Sequence, residues 1–456
     1  MSDASPRLDG IEPFGSDPFG GSEPLDLAGV GIGPFNLSLA AQLDSVPELS
    51  AMFFDRRKSF DWHPGMMLPE VELQSSYLKD LVTSTNPTSP WSFVSYLVET
   101  KRFFAFLNAH YDAAPRREFA RYFGWVAERL PNLSFDSEVE EATHDGRDFV
   151  LTVNGAKRRA RNVAIGVGMA PFAPDWANGF DRQTCFHASE AVQRLPGLPS
   201  GRVAVIGGGQ SGGEIVEHLL SRDSPPEALL WLSRRHNIEP LNDTPFSNQV
   251  FSPEYVEAYR RLGEDRKTAA LASSVLTSDG VSPSTIAAIY RRLYAMRYLE
   301  DSPVEAEVLP QRDVIQAEHR GGEYRLVVRN AFNGAIEIHF ADALVLATGY
   351  RFELPAAFEP LRGRILLDRN GRVTPGDDYS LQWDGPRQSR IFALNAGRHS
   401  HGIAESQLSL MAWRSAAIVN SLLGCERFDL TPPRPMVNWD AKGGALEDIR
   451  TAGAKG

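Results

Sequence analysis

Two stretches of the chain share one pattern, in which a short apolar run is followed by closely spaced glycines and then by apolar residues at helical spacing. The first run begins at Leu25 and the second occupies residues 203–206. The glycines that follow are Gly29, Gly31 and Gly33 in the first stretch and Gly207, Gly209 and Gly212 in the second. Such a pattern predicts a buried strand, a tight turn and a helix whose positive N-terminus faces a pyrophosphate. The sequence therefore predicts two dinucleotide-binding units.

The first unit has Pro34 where the third glycine of G-x-G-x-x-G would stand. Proline suits the first turn of a helix, because its missing N–H would lack a partner there anyway. The predicted helix continues through Asn36, and a short apolar strand then ends at Asp55, 24 residues after Gly31. That spacing suits a carboxylate that binds the ribose of an adenosine.

The strand after the second unit ends in Ser233, Arg234 and Arg235, where an NAD site would have an acid. Arginines there can pair with a 2′-phosphate, so NADPH is favoured over NADH. Two units imply two dinucleotides, and FAD with NADPH is the economical pair, one carrying the redox chemistry and the other supplying the hydride. A later buried strand runs from Asp342 to Thr348, Gly349 and Tyr350, where a glycine lets the backbone approach a cofactor.

These features predict an α/β protein with two Rossmann-like dinucleotide-binding domains, the NADPH domain inserted in the FAD domain, and a small, mainly helical substrate region. The predicted divisions are a disordered N-terminal tail (1–24), a discontinuous FAD domain (25–200 and 341–425), an NADPH domain (201–340) with a helical substrate-binding segment (241–300), and a C-terminal tail (426–456).

Composition excludes several classes of function. The 456 residues carry a formal net charge of −11, which disfavours nucleic acid and anionic membranes as partners. No apolar run is long enough to predict a membrane span, and no secretory signal is visible. The two cysteines, Cys185 and Cys425, are far apart, which indicates a reducing cytoplasm rather than a disulfide framework. No cluster of His, Cys, Asp and Glu has metal-ligand spacing, so no metal is expected.

Several strings together resemble the lysine/ornithine N-monooxygenase family, the flavin N-hydroxylases of microbial siderophore biosynthesis. They occur in the family's order over about residues 25–425: GIGPFNL at 31–37, WHPGM at 62–66, YLKDLV at 77–82, NPTSP at 86–90, CFHASE at 185–190, GGQSG at 208–212, ATGY at 347–350 and HGIAE at 401–405.

The resemblance implies that NADPH reduces FAD, that reduced flavin adds O₂ to form a C4a-hydroperoxide, and that a substrate amine takes the distal oxygen and becomes a hydroxylamine. The amine must be neutral, although an alkylammonium has a pKa of about 10.4, so the site must lower that pKa and exclude water. The resemblance also implies a homotetramer, a dimer of dimers.

The family's functional positions carry over to several residues of this chain. By resemblance, Trp62, His63, Met66 and Gln74 lie by the flavin, and Trp62, His63 and Gln74 support the chemistry. Lys79 and Asn248 correspond to substrate-binding positions, and Ser409 faces the flavin or the substrate unless it is an ordinary helix serine. The positions expected to bind NADPH are Gln210, Ser211, Ser233 and Arg235.

The identity of the amine depends on a few positions. Ornithine-specific members resemble one another in an Asn-rich stretch that residues 276–281 replace here. This departure favours L-lysine, or putrescine or cadaverine, over ornithine, which remains the alternative. Lysine would bring its carboxylate to Lys79, whereas a diamine would need an acid or a carbonyl for its distal ammonium, with Asp279 and Glu405 as candidates. The run at 76–82 slightly favours a diamine.

Three other classes of flavoprotein are alternatives. A Baeyer–Villiger type monooxygenase needs F-x-G-x-x-x-H, but counting back from His187 gives Gln183 and Asp181. A disulfide reductase needs a pair of redox cysteines, which is absent from the sequence. A non-catalytic flavoprotein would be excluded by amine-dependent formation of a hydroxylamine.

Overall fold

The computed structural model describes residues 23–439 apart from Glu70 and Asp112. Most of the predicted N-terminal tail and residues 440–456 of the predicted C-terminal tail therefore lie outside the described residues. Residues 426–439 are described, and here Phe428 is buried and exchanges two hydrogen bonds with the Asn420 side chain, at 2.8 and 3.0 Å. The start of the predicted C-terminal tail is thus docked on the last helix.

The first sheet has seven strands. They are β1 (Leu25–Val30), β2 (Ala51–Phe54), β3 (Leu133–Ser134), β4 (Val139–His144), β5 (Phe149–Val153), β6 (Ala156–Ile165) and, much later in the chain, β17 (Ile391–Ala393). Their order in the sheet is β3-β2-β1-β6-β5-β4, and β17 also pairs with β6. Strands β1, β2, β6 and β17 are parallel, whereas β4 and β5 pair antiparallel.

Between β6 and β17 the chain forms ten more strands among the described residues. They are β7 (Ala170–Pro171), β8 (Cys185–His187), β9 (Arg202–Ile206), β10 (Ala228–Ser233), β11 (Glu305–Pro310), β12 (Arg312–Arg320), β13 (Glu323–Asn330), β14 (Ile336–Ala341), β15 (Ala343–Leu346) and β16 (Tyr350–Arg351). Five of them form a second, wholly parallel sheet, in the order β11-β10-β9-β15-β8. Strands β12 to β14 form an antiparallel sheet, and β16 pairs with β7.

Two strands differ from the predicted division. The predicted division places both β8 and β15 in the first domain. In the structure they pair with each other, and β15 also pairs with β9 in the second sheet. The reason is that all four residues of β15 are buried, and an apolar run predicts a strand without specifying the sheet it joins. The return of β17 to β6 nevertheless shows a chain that leaves the first sheet and comes back to it.

The helices pack on these sheets and on one another. They are α1 (Pro34–Leu43), α2 (Phe93–Glu99), α3 (Phe103–Asn108), α4 (Arg116–Ala127), α5 (Ala191–Arg194), α6 (Gln210–Leu220), α7 (Pro253–Arg260), α8 (Glu264–Ser273), α9 (Val275–Asp279), α10 (Pro283–Tyr298), α11 (Glu359–Arg362), α12 (Arg398–His401) and α13 (Met411–Leu423). Across the described ranges, none of them is both long and apolar enough to cross a membrane.

Candidate active site

The second glycine turn admits no side chain at two of its positions. Gly207 has φ 133°, and a Cβ there would lie 2.0 Å from the carbonyl oxygen of Ala347. A Cβ on Gly212 would lie 2.1 Å from the carbonyl oxygen of Gly207, so this glycine lets α6 pack against the turn. Gly209 is the N-cap of α6, and no side chain caps the helix. The free N–H groups of the first helical turn suit a phosphate.

A cavity of about 640 Å³ opens at this turn. Its lining combines the glycine turn, the end of β10 and the strand end at 347–350 with residues that the sequence did not single out. Among the predicted residues it includes Gly207, Gly209, Gln210, Ser211, Ser233, Arg234, Arg235, Thr348, Gly349 and Tyr350, and among the others Phe172, His187, Arg312, Arg398 and Gln407. These residues surround a space of the size and polarity that a nicotinamide dinucleotide requires.

The two arginines after β10 point to different surroundings. Arg235 donates from Nη1 to the carbonyl oxygens of Asp279, at 2.6 Å, and Gly208, at 3.2 Å. Arg234 is exposed at the cavity. Ser233 is buried, and its hydroxyl accepts the N–H of Arg235 at 3.2 Å. Arg234 is therefore better placed to meet a 2′-phosphate, while Ser233 and Arg235 support the turn.

The first glycine turn has the same architecture. Gly31 has φ 83°, and a Cβ on Gly29 would lie 2.0 Å from the ring of Phe53. Gly33 is the N-cap of α1, Pro34 occupies its first position, and no side chain caps it. The predicted contact Asn36 is instead fully buried, and it donates to the carbonyl oxygen of Gly31 at 2.7 Å. It supports the turn because helical geometry points its side chain under β1.

Asp55 does not present a free carboxylate to a ribose. Its Oδ2 accepts the N–H of Ile32 and the guanidinium of Arg57, both at 2.8 Å, and its side chain is 6% exposed. Burial acts to raise the pKa of Asp55, but the hydrogen bonds from Arg57 and Ile32 outweigh burial and lower it. The acid thus fixes the glycine turn to the end of β2.

The segment predicted to wall the flavin divides into open and buried residues. His63 has φ 49°, and its ring lies 5.2 Å from Trp62 and 6.4 Å from Tyr350 between centroids. Met66 is only 4% exposed and packs in the core of the second sheet. Part of His63 is exposed. Loss of water around its ring, and to a smaller extent the charge of Arg116, lower the pKa of His63 to about 4. His63 is therefore neutral near pH 7.

Tyr350 connects this segment with the cavity. Its ring meets His187 edge-on at 4.9 Å between centroids, and His187 Nε2 donates to the carbonyl oxygen of Gly349 at 3.0 Å. Burial raises the pKa of Tyr350 to about 12. Thr348 donates to the carbonyl oxygen of Phe172. Tyr350 thus contacts the segment predicted to face the flavin and also lines the cavity.

Lys79 is partly buried, and its Nζ contacts one of the predicted residues, Ser409. Nζ donates to Ser409 Oγ at 3.4 Å and lies 5.4 Å from the ring centroid of Phe251. Another predicted residue, Asn248, donates to the carboxylate of Asp243 at 2.6 Å. Burial lowers the pKa of Lys79, and the charge of Asp243 opposes this. No salt bridge to Lys79 is found among the residues that the structure describes.

The two acids proposed for a distal ammonium are already paired. Glu405 lies 2.9 Å from Arg414, with both side chains 1% exposed. Burial raises the pKa of Glu405, against the opposing charge of Arg414. Asp279 lines the cavity but binds Arg398 at 2.7 Å. The prediction for Glu405 is wrong, because Arg414, nine residues along the chain, meets it in the core.

One group of potential metal ligands occurs within the described residues, namely Glu264, Asp368 and His399. Its side chains already have partners among the described residues. His399 Nε2 lies 2.6 Å from Glu264, Lys267 lies 3.6 Å from the same carboxylate, and Arg372 lies 2.6 Å from Asp368. The group is accounted for as a network of ion pairs.

Two uncapped helix N-termini at glycine turns and a cavity at one of them define a protein that binds two dinucleotides. The family model for L-lysine 6-monooxygenase/L-ornithine 5-monooxygenase matches residues 23–352. The chain belongs to this family of flavin-dependent N-monooxygenases.

Individual relatives act on different amines. The chain is 38% identical over 418 residues to the L-lysine N6-monooxygenase of Escherichia coli, which spans 91% of this chain and 98% of that protein. It is similar to the FAD-bound cadaverine monooxygenase of Erwinia amylovora, with TM-score 0.87, 27% identity and coverage of 93% and 100%. It is also similar to the ornithine N-hydroxylase of Kutzneria sp. 744 with reduced FAD, NADP⁺ and L-ornithine, with TM-score 0.81, 32% identity and coverage of 88% and 99%.

Proposed function

We propose that this enzyme hydroxylates the side-chain amine of L-lysine in hydroxamate siderophore biosynthesis, using FAD, NADPH and O₂. Bound NADPH supplies a hydride, and bound flavin activates O₂. The choice of L-lysine over a diamine departs from the expectation based on residues 76–82. It rests on the surroundings of the cation of Lys79.

The observation that carries the proposal is a partly buried lysine without a neutralising salt bridge among the described residues. Its polar contact within the described residues is the hydroxyl of Ser409, 3.4 Å away. A charged group with few competing partners binds an anion strongly. The carboxylate of an amino acid substrate meets this need.

The diamines remain the second candidate, and Asp243 is the observation that favours them. Its charge acts on Lys79, and a distal ammonium would be attracted to the same carboxylate. The two acids first considered for that role, Asp279 and Glu405, are held by Arg398 and Arg414. A diamine would therefore depend on Asp243 alone, which already binds Asn248.

The residues suit the two cofactors in distinct places. We assign the FAD pyrophosphate to the uncapped start of α1 after Gly31 and Gly33, and the NADPH pyrophosphate to the uncapped start of α6 after Gly207 and Gly209. Trp62, His63 and Gln74 are proposed to face the flavin and exclude water. The reacting amine of L-lysine lies at the other end of the substrate from the carboxylate proposed to bind Lys79, so burial beside the flavin would have to lower its pKa.

We further propose that the domain division is the predicted one, except that β8 and β15 belong with the NADPH domain.

We also propose a quaternary state and a location. A homotetramer, a dimer of dimers, is supported by the exposed tyrosines Tyr290, Tyr294 and Tyr298 along α10. A cytoplasmic location agrees with two free cysteines. Light scattering after gel filtration would test the tetramer, and fractionation of the producing cells would test the location.

The decisive experiment is an assay for hydroxylamine product with L-lysine, cadaverine, putrescine and L-ornithine at equal concentrations. We expect the highest kcat/KM with L-lysine. A higher value for cadaverine or putrescine would replace lysine by a diamine, and a preference for ornithine would refute the assignment of both. No product from any amine, despite oxidation of NADPH, would refute N-hydroxylation of these substrates.

A further inference from the structure

A buried ion pair joins the units built on the two sheets. Arg116 Nη2 lies 2.7 Å from Glu214 Oε1, and Nη1 lies 3.1 Å from Oε2, so the pair is held by two parallel hydrogen bonds. The side chains are 14% and 3% exposed. Arg116 begins α4 on the first unit, and Glu214 belongs to α6 on the second.

Hydrogen bonds extend the pair toward both predicted cofactor sites. Arg116 Nη1 also donates to the carbonyl oxygen of Met66 at 2.9 Å. On the other side, Gln210 donates from Nε2 to Glu214 Oε1 at 2.9 Å. The Oε1 of Gln210 accepts from Gln74 Nε2 at 3.1 Å and from the N–H of Ser282 at 2.7 Å. A continuous network therefore links the segment 62–74 to the first residue after the glycine turn.

Local folding does not account for the pair. A helix N-terminus favours anions, yet Arg116 is a cation at the first position of α4. Burying both charges carries a desolvation penalty that often offsets their attraction, so such a pair contributes geometry more than stability. The backbone also holds Arg116 in place, because its N–H donates to the carbonyl oxygen of Val71 at 2.9 Å.

We infer that Arg116, Glu214 and Gln210 are positioning residues that fix the glycine turn of the NADPH unit relative to the flavin-facing segment 62–74. The inference rests on the proposed function, since hydride transfer requires the two cofactors to meet at about 3–3.5 Å. The two units carry one cofactor each, so a brace between them sets that separation. Its loss would slow the transfer without removing either binding site.

The test is the double variant Arg116→Met/Glu214→Met in the FAD-bound enzyme. Paired apolar side chains of similar length remove the directed hydrogen bonds without leaving an unpaired buried charge. We expect flavin reduction at saturating NADPH, followed by stopped flow, to slow by about tenfold or more, because small misplacements have large effects on transfer. Affinity for NADP⁺, measured by calorimetry, should stay within about threefold, since the glycine turn is intact.

A readout independent of turnover is hydrogen exchange in the FAD-bound enzyme without NADPH. Exchange should increase at residues 64–74 and 207–214 in the double variant. The control is Glu118→Gln, because Glu118 lies on the same helix and pairs with Arg102 at 2.9 Å within the first unit. The control should match the wild type in both measurements.

Wild-type rates of flavin reduction and wild-type exchange in the double variant would overturn the inference. If the double variant does not fold, Glu214→Gln provides the same comparison, because it removes the charge of the pair at nearly constant size and changes no residue expected to touch NADPH. An enzyme that reduces its flavin with NADPH but makes no hydroxylamine would refute the proposed function alone. The effect of the variants on flavin reduction would still test whether Arg116 and Glu214 position the two units.

Discussion

Replacing Lys79 by methionine keeps the length of the side chain and removes its charge. Among the described residues Nζ donates a long hydrogen bond to Ser409, 3.4 Å away, and no salt bridge pairs it, so the ammonium is available for a substrate carboxylate. A charge-assisted hydrogen bond contributes about 1.5–3 kcal/mol, which corresponds to about a 10- to 150-fold change in an equilibrium constant. We therefore expect KM for L-lysine to rise by this factor while kcat changes little.

Cadaverine is the matched substrate for this measurement, because it is lysine without the carboxylate. Its KM should stay the same or fall in the Lys79→Met variant, since the repulsion between Lys79 and the distal ammonium is gone. Lys58→Met, at an exposed lysine, serves as the control variant. An equal rise in KM for both substrates would show that Lys79 supports the local structure without binding the carboxylate. An unchanged KM for L-lysine would refute the proposed contact.

Three further predictions concern stability, coenzyme choice and pH. Glu405→Gln should lower the free energy of unfolding by about 3–5 kcal/mol because it leaves Arg414 buried and unpaired, measured by urea denaturation; a raised KM at unchanged stability would return Glu405 to the substrate site. Arg234→Ala should raise KM for NADPH about 10- to 100-fold with little effect on NADH, whereas an equal effect on both coenzymes would contradict a contact with the 2′-phosphate. Burial lowers the pKa of Lys79 from its ordinary value of 10.5, so Lys79 loses its charge at a lower pH than a free lysine, and KM for L-lysine should rise as pH increases through the lowered pKa. Lys79→Arg should abolish this rise, and cadaverine, measured in parallel, corrects for titration of the substrate amine.

The sequence predicts the glycine turns well because their requirements are local. Gly31 and Gly207 adopt positive φ, and a helix follows each of them as predicted, although both helices begin a few residues before the apolar spacing does. The assignment of β15 to a sheet was wrong because strand propensity carries no information about the neighbouring strand. The pair of Arg116 and Glu214 was missed because the two residues are 98 positions apart and meet only in the folded chain.

The acids Asp55, Asp279 and Glu405 were assigned to ligands on position alone, and each of them binds an arginine in the structure. A carboxylate near a predicted site is therefore weak evidence for a ligand, because the fold supplies its own cations. Lys79 contrasts with them, since no salt bridge satisfies its charge within the described part of the chain. An unneutralised cation attracts a carboxylate and repels an ammonium. The charge of Lys79 would thus select an amino acid over a diamine, so loss of Lys79 should impair L-lysine more than cadaverine at every pH at which Lys79 is charged.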